Sequence, residues 1–197
     1  MPAPRFDQLH RHAGPYFLAL GGTGMFGANF YLFGSGGQWI AIDCGFALQS
    51  TPGGSNQVSV PSLEALEKYD IKLSALLITH GHEDHIGAIP HLWRQLDCPM
   101  YASPFAARLI RNKLDPALTW PRLHEIKPLE PIGIGAFQAE WIPVTHSIPE
   151  SHAILLEVAG KRLYHSGDWK LDSNPVIGEL TAQKRLQAIG RAGVDVV

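Results

Sequence analysis

The stretch I-T-H-G-H-E-D-H-I-G, residues 78–87, places three histidines, one glutamate and one aspartate within six consecutive positions, 80–85. It directly follows the apolar run L-S-A-L-L-I-T, residues 73–79, which is typical of a strand buried on both faces. Polar side chains buried at such density without partners would cost several kcal/mol. The stretch therefore predicts a ligand-binding loop at the end of a buried strand.

The spacing within this loop favours a metal ion as the ligand. His80 and His82 are two residues apart, so both side chains lie on one side of an extended turn. Gly81 lets the backbone bend between them. Asp84 and His85 follow the bend and can face a second point close by. Imidazole and carboxylate together suit zinc, iron or manganese better than calcium or magnesium.

A two-metal site needs further ligands from elsewhere in the chain. His146 ends the predicted strand F-Q-A-E-W-I-P-V-T-H, and Asp168 ends the predicted strand K-R-L-Y-H-S-G-D. Both residues come at the carboxyl ends of strands, as the histidine loop does, and in α/β layers the ligand crevice lies outside such ends. An ordinary structural role is the commoner meaning of one histidine at a strand end, and for both residues it stays open at this point.

Apolar periodicity and turn residues predict the remaining elements. Strands are predicted over 16–20, 29–33, 38–43, 73–79, 99–103, 122–127, 137–146, 152–160 and 161–168, with the beginning of another over 194–197. Helices are predicted over 61–69, 86–96, 104–114 and from 176 onward, and loops over 45–60 and 115–121. Strands and helices in this order indicate an α/β or α+β layered arrangement.

Composition sets broad limits on function. With 197 residues, 45% of them hydrophobic, the chain is expected to form one packed domain. Lys+Arg 16 against Asp+Glu 18 gives a net charge of −2, which neither indicates nor excludes a nucleic-acid partner. Only two cysteines are present, so no disulfide framework is expected. Without a membrane-length apolar stretch or a signal-peptide core, the sequence predicts a cytoplasmic protein that does not enter membranes.

The motif T-H-G-H-E-D-H-I-G resembles the signature of the metallo-β-lactamase superfamily, in which His-x-His-x-Asp-His loads a two-metal hydrolase centre. Other stretches resemble the ribonuclease J group of its β-CASP branch. They are L-G-G-T-G-M-F-G-A-N-F-Y-L-F, G-H-E-D-H-I-G-A-I-P-H-L-W-R-Q-L, V-T-H-S-I-P-E-S-H-A-I-L-L-E-V and H-S-G-D-W-K-L-D. The resemblance runs from about residue 16 to the C-terminus. It implies an α/β fold of the metallo-β-lactamase type, an αββα sandwich.

The resemblance also implies a role for each candidate ligand. One zinc ion would be held by His80, His82 and His146, and a second by Asp84 and His85, with Asp168 bridging the two. Asp84, His146 and Asp168 are the residues expected to take part in catalysis, and manganese or iron are alternative metals. Two divalent ions roughly 3.5–4 Å apart lower the pKa of a bridging water and clamp the oxygens of a phosphodiester. The implied activity is metal-dependent hydrolysis of RNA.

Two further residues are expected to support the site. The resemblance implies that Asp43, in the turn A-I-D-C-G, orients the histidine loop and that Ser147 shapes the site beside His146. A carboxylate that caps a turn at a strand end explains Asp43 equally well. Arg108, Arg111 and Lys113 lie near one face of a predicted helix, where they either contact phosphates or form a solvated basic face.

The chain departs from the ribonuclease J pattern in two respects. Met25 and Ala28 occupy the glycine turn, where that group usually carries an acidic residue and a lysine. The group also continues past the position of Val197, with a β-CASP insertion and a C-terminal completion that supplies a last histidine. Residues 1–197 are therefore expected to be the N-terminal half to two-thirds of the metallo-β-lactamase domain. A weak or empty second metal site and an exposed sheet edge that favours homo-oligomers follow from this expectation.

Three functions remain as alternatives. The first is an RNA-processing nuclease or the catalytic portion of one. The second is a hydrolase of a small ester, thioester or lactam from the same superfamily, and the third is an inactive metal-binding remnant. The motifs T-H-S-I-P-E-S and H-S-G-D-W-K-L-D favour the first alternative over the second because they belong to the narrower group.

Overall fold

The computed structural model describes residues 14–50, 56–114 and 122–197 of the chain. These residues form two compact units. The first contains the described part of Met1–Ile78 together with His82–Met100, and the second contains Thr79–Gly81 and Tyr101–Val197. The histidine-rich loop is thus divided between the two units.

The first unit is built on a sheet whose last two strands lead to the histidine loop. Its elements are β1 (Tyr16–Gly21), β2 (Phe30–Ser35), β3 (Gln38–Ile42), β4 (Ala47–Ser50), β5 (Asn56–Ser59), α1 (Glu64–Lys68), β6 (Leu73–Leu77), α2 (Glu83–Ile86) and α3 (Ile89–Leu96). Strands β1, β2 and β3 are antiparallel neighbours, and β6 joins β3 in parallel with Ile42 opposite Leu77. The two parallel strands therefore end level with each other, which brings Asp43 beside the start of the loop.

The buried strand predicted from the apolar run is confirmed. Leu76 and Leu77 of β6 and Ile40 and Ile42 of β3 are fully buried. Burial on both faces explains why the run is continuous rather than alternating. Because β6 is buried on both faces, the position at which the histidine loop begins is fixed.

Two predictions for the first unit are wrong. Residues 45–60 are not a loop throughout, because β4 and β5 pair as an antiparallel hairpin with Leu48 opposite Val58. Both of these side chains are exposed, so this pair buries no apolar residue and no apolar alternation marks the hairpin in the sequence. The helix expected over 86–96 is two helices, α2 and α3. Pro90 lies in the first turn of α3, a position that proline favours because its missing N–H is not needed there.

The second unit contains an antiparallel sheet and two helices. Its elements are β7 (Met100–Ala102, whose first residue belongs to the first unit), α4 (Pro104–Lys113), β8 (Leu123–Glu125), β9 (Ile132–Ile134), β10 (Phe137–Pro143), β11 (His152–Val158), β12 (Lys161–His165) and α5 (Gln183–Ala192). The sheet has the order β12-β11-β10-β9. Its core includes Ile142, Val144 and Leu155, against which α5 packs Ile189.

Several boundaries in the second unit differ from the prediction. Strands β10 and β12 end at Pro143 and His165, so both distant ligand candidates lie in the loops beyond. Helix α5 starts at Gln183 rather than 176, because Thr181 and Ala182 are held elsewhere. The N–H of Thr181 donates to Thr145 Oγ1, and the N–H of Ala182 donates to the carbonyl of Pro143 at the end of β10. Over 194–197 only Val196 pairs, in a parallel bridge with Leu163. Strand β9 was not predicted, and the loop expected over 115–121 lies outside the described residues.

Candidate metal centre

His80 is the most deeply placed of the predicted ligands in the second unit. Its side chain is fully buried, and Thr79 Oγ1 lies 3.0 Å from its Nδ1. The segment 79–81, which carries His80, is attached to β11 because the Thr79 carbonyl accepts a hydrogen bond of 3.1 Å from the backbone N–H of His152. Gly81 lets the backbone after His80 pack closely against Leu109, since a Cβ atom at this position would lie 2.7 Å from Leu109 Cδ1.

His146 and Asp168 converge on His80 within this unit. The rings of His80 and His146 meet edge to face with centroids 5.0 Å apart. A ring nitrogen of His80 lies within 4.8 Å of a ring nitrogen of His146, and one lies within 4.8 Å of a carboxylate oxygen of Asp168. His146 Nε2 is 3.8 Å from Asp168 Oδ2, and the Asp168 side chain is 46% exposed. Three residues far apart in sequence thus present two imidazoles and a carboxylate to one small volume.

Backbone contacts fix the loop that carries His146. The N–H of Thr145 donates to Thr181 Oγ1 over 2.9 Å, and the Thr145 carbonyl accepts from the N–H of Lys170 over 2.8 Å. Further along the loop, Glu150 Oε2 accepts from the N–H of Phe105 over 2.7 Å, at the start of α4. The loop is therefore held at both of its ends.

The position of Asp168 is set by its neighbours. The hydroxyl of Ser151 donates to the Asp168 carbonyl over 3.2 Å. Gly167 precedes it with a φ of +56°, and a Cβ atom there would lie 2.8 Å from the His152 carbonyl oxygen. Only glycine fits a left-handed backbone at so close an approach.

The remaining candidate ligands belong to the first unit, on and before the short helix α2. His82 precedes the helix in an extended conformation, and Asp84 and His85 lie within it. His85 is buried, with its Nδ1 2.8 Å from Oδ2 of the fully buried Asp43. The tautomer that satisfies this contact carries its proton on Nδ1 and keeps the lone pair on Nε2. A carboxylate behind a ligating imidazole is the usual arrangement at metal sites.

Asn29 also contacts this group, although no motif in the sequence points to it. Its backbone N–H donates to the Asp84 carbonyl over 3.0 Å. Its side-chain Nδ2 lies 3.4 Å from Asp84 Oδ2 and 3.1 Å from His85 Nε2, while Tyr31 donates to its Oδ1 over 2.8 Å. An asparagine directly after a glycine turn was the available signal, but it resembles an ordinary turn residue.

Three predicted or neighbouring positions complete the surroundings of the ligands, and one of them, Cys44, donates its backbone N–H to the His85 carbonyl over 2.7 Å. Ser147 is exposed beside His146. Ala28 is buried and adopts a left-handed φ of 53°. Burial, together with the neighbouring Asp43 carboxylate, raises the pKa of the Cys44 thiol well above its usual range, so this cysteine remains protonated.

The chemistry of the donor set fits a divalent transition metal. Each unit supplies histidine nitrogen and aspartate oxygen, the mixture that zinc, iron and manganese accept. The tautomer of His85 with its proton on Nδ1 leaves a lone pair on Nε2, and a lone pair on a ring nitrogen is what binds a metal.

The fold and the site define the class of protein. A model of the metallo-beta-lactamase superfamily matches residues 23–182, which is most of the chain. The chain belongs to the metallo-β-lactamase superfamily.

Within that superfamily the chain is similar to proteins named ribonuclease J. It is 37% identical over 184 residues to the one from Sinorhizobium meliloti, which covers 90% of this chain and 33% of that protein. It is 33% identical over 189 residues to the one from Helicobacter pylori strain 26695, which covers 94% of this chain and 27% of that protein. The chain therefore spans a third or less of the length of these relatives.

Two solved structures share the fold. One is the metallo-beta-lactamase fold protein YhfI from Bacillus subtilis, with a TM-score of 0.57 and 19% identity over 80% of this chain and 64% of that one. The other is a protein of unknown function from Enterococcus faecalis V583, with a TM-score of 0.57 and 17% identity over 79% of this chain and 43% of that one. The predicted mixed α/β class is confirmed. Among the described residues, no helix has the length and apolarity to cross a membrane.

Proposed function

We propose that this chain is a metal-dependent phosphodiester hydrolase that acts on RNA. The observation that carries the proposal is the convergence of His80, His146 and Asp168, three residues from separate loops of a metallo-β-lactamase superfamily member. The similarity to proteins named ribonuclease J supports RNA as the substrate class. RNA as a substrate also supports a cytoplasmic location, which cell fractionation tests directly.

The proposed ligand set follows the chain through the histidine loop. We propose that one ion binds His80, His82 and His146 and a second binds Asp84 and His85, with Asp168 shared by the two. Gly81 alone separates His80 from His82, so the loop carries ligands for the first ion on both sides of one bend. We expect zinc, and we expect the first site to be the tighter because three imidazoles hold it.

When bound, the metal supplies a water of lowered pKa and neutralises negative charge on the phosphate. The residues of the chain determine how the substrate and that water are oriented. Asp43 holds the Nδ1 proton of His85 and thereby directs Nε2 away from itself. Asn29 steadies Asp84, whose side chain is 23% exposed and can orient an attacking water. The carboxylate of Asp168, 46% exposed and 3.8 Å from His146 Nε2, would supply an oxygen ligand at the open side of the site.

Metal content and cleavage together test the proposal. We expect the purified protein to hold zinc at neutral pH and to cleave a 5′-monophosphorylated RNA oligonucleotide but not p-nitrophenyl acetate. The His80→Ala variant should lose metal and RNA cleavage together, while Lys127→Ala, which removes an exposed side chain of the second unit, should retain both.

Other outcomes of this assay would reject the proposal. Turnover of the ester with untouched RNA would indicate a small-substrate hydrolase. Metal binding without turnover of either substrate would indicate a metal-binding protein without this activity. Two ions bound equally tightly would contradict the expected difference between the sites.

A further inference from the structure

The turn between β1 and β2 exposes two large apolar side chains. Phe26 is 91% exposed and Met25 is 43% exposed. An aromatic ring left so open to water gains nothing from burial in the folded chain. An exposed aromatic ring offers a face on which a flat partner such as a nucleobase can stack.

This turn is joined by hydrogen bonds to the proposed metal ligands of the first unit. The N–H of Ala28 donates to the Phe46 carbonyl over 2.8 Å, and the N–H of Asn29 donates to the Asp84 carbonyl over 3.0 Å. The Asn29 side chain also contacts both Asp84 and His85. Phe26 is therefore three residues from a side chain that contacts two of the proposed ligands.

The conformation of the turn limits where Phe26 can lie. Gly22, Gly24 and Gly27 have φ values of +78°, +76° and +80°, and Ala28 has a φ of 53°. A Cβ atom at Gly27 would approach the Phe46 carbonyl oxygen to 2.9 Å, so the turn is packed closely against the chain that follows β3. The ring is consequently presented by a well-defined backbone rather than by a loose loop.

We propose that Phe26 is a stacking platform for a base of single-stranded RNA that lies next to the scissile phosphate, with Met25 as its flexible apolar flank. This inference rests on the proposed function. Bases of single-stranded RNA stack on exposed aromatic side chains, and stacking accepts any base because each has a flat π-face. Thioether side chains adapt to aromatic neighbours, which suits Met25 to this position.

The features of the turn favour a nucleobase over a small apolar ester. Small ligands are enclosed in concave pockets that bury most of their surface, whereas Phe26 stands almost fully open. A single strand of RNA that lies across the surface can place one base on the ring of Phe26 while its phosphate reaches the histidine loop.

Binding of fluorescein-labelled single-stranded RNA with phosphorothioate linkages, which slow hydrolysis, tests the proposal on the metal-loaded protein. The probes are one decamer with all bases and a set with a single abasic residue at each position in turn. We expect Phe26→Ala to weaken binding of the complete decamer by about tenfold. The same variant should have no effect on the one probe whose stacked base is missing. Phe26→Trp should bind as tightly as the wild type, and Val58→Ala, which removes an exposed apolar side chain from β5, should leave binding unchanged.

Several results would overturn the proposal. They are equal binding by Phe26→Ala and the wild type, an equal loss on every abasic probe, or no RNA binding by the wild type. If Phe26→Ala does not fold, Phe26→Leu replaces it, because leucine keeps an apolar side chain but has no ring. The wild type also tests stacking by itself: if its affinity is the same for the complete decamer and for every abasic probe, no base stacks on the protein. If the predicted binding pattern holds but the metal-loaded wild type does not cleave RNA, only the proposed function fails.

Discussion

At the scale of single residues, the contact between Asp43 and His85 shows how sequence and structure complement each other. The crowding of polar residues in one loop points to the histidine, whereas the aspartate is indicated only by the resemblance to the family. Their hydrogen bond of 2.8 Å depends on β3 and β6 ending level, which no local pattern reveals. Asn29 was missed for the same reason, because its contacts with Asp84 and His85 are 55 and 56 positions away in sequence.

Replacing Asp43 by asparagine should weaken metal binding by roughly 10- to 100-fold, because the amide does not hold the same histidine tautomer with a charge behind it. Metal titration with a competing chromophoric chelator measures the change. Asp195→Asn provides the control, since that exposed carboxylate pairs with Lys161 on the surface. An unchanged affinity in Asp43→Asn would mean that the buried carboxylate has only a structural role.

His152 should make the stability of the fold depend on pH. Burial lowers its pKa from 6.5 to about 4, and within the described residues its Nδ1 has no hydrogen-bond partner. Between these pH values the unfolded chain binds a proton that the folded chain does not, so the free energy of unfolding falls as the pH is lowered, by up to about 3 kcal/mol.

Urea unfolding of the wild type and of His152→Phe between pH 7 and 4 tests this expectation. The variant should lose less stability than the wild type across that range, because the phenylalanine does not bind a proton. Parallel stability profiles for the two proteins would show that His152 does not contribute to the pH dependence.

At the scale of elements, continuous apolar runs predict the buried strands well. Exposed segments, and segments fixed by hydrogen bonds to distant residues, are predicted poorly. Strand β6 was recognised because both of its faces are buried. The hairpin of β4 and β5 was not, because Leu48 and Val58 are exposed and nothing repeats along it. Helix α5 was placed too early because the apolar residues before it resemble a helix, whereas Thr181 bonds instead to Thr145.

The chain that follows β3 packs directly against α2, and this leaves no space for a side chain at Gly45. A Cβ atom there would lie 1.5 Å from the Asp84 carbonyl oxygen, so Gly45→Ala should displace α2 and destabilise the fold by about 3 kcal/mol or more. Chemical denaturation measures the loss. In Gly133→Ala the new methyl group meets nothing within 4 Å and should change stability little. Equal midpoints for the two variants would contradict the expected clash.

At the scale of the whole molecule, family membership could be predicted from sequence, while the exposed surface could not. The motifs around the histidine loop were sufficient to indicate the superfamily that the match over 23–182 shows. The apolar surface of the second unit appears only in three dimensions. There a groove of about 1110 Å³ is lined by Leu129, Leu171, Leu180 and Leu186 among others.

We expect this surface to promote self-association. Leu171 is 89% exposed, Val176 fully exposed and Leu180 60% exposed, so an apolar area of this kind gains free energy when a second copy covers it. Light scattering after size-exclusion chromatography should show a mass that rises with concentration and falls towards the monomer in a Leu171→Glu, Leu180→Glu double variant. A monomer at every concentration would refute the expectation.

The hydrogen bonds around Gly45 have a consequence for how such proteins are recombined. Ala28, Asn29 and the stretch 44–46 bond to one another and to the backbone of residues 83–88. A chimaera that received only the histidine motif from a homologue would inherit the ligands without the backbone that shapes them. These three segments are best regarded as one transferable cassette, to be grafted together or not at all.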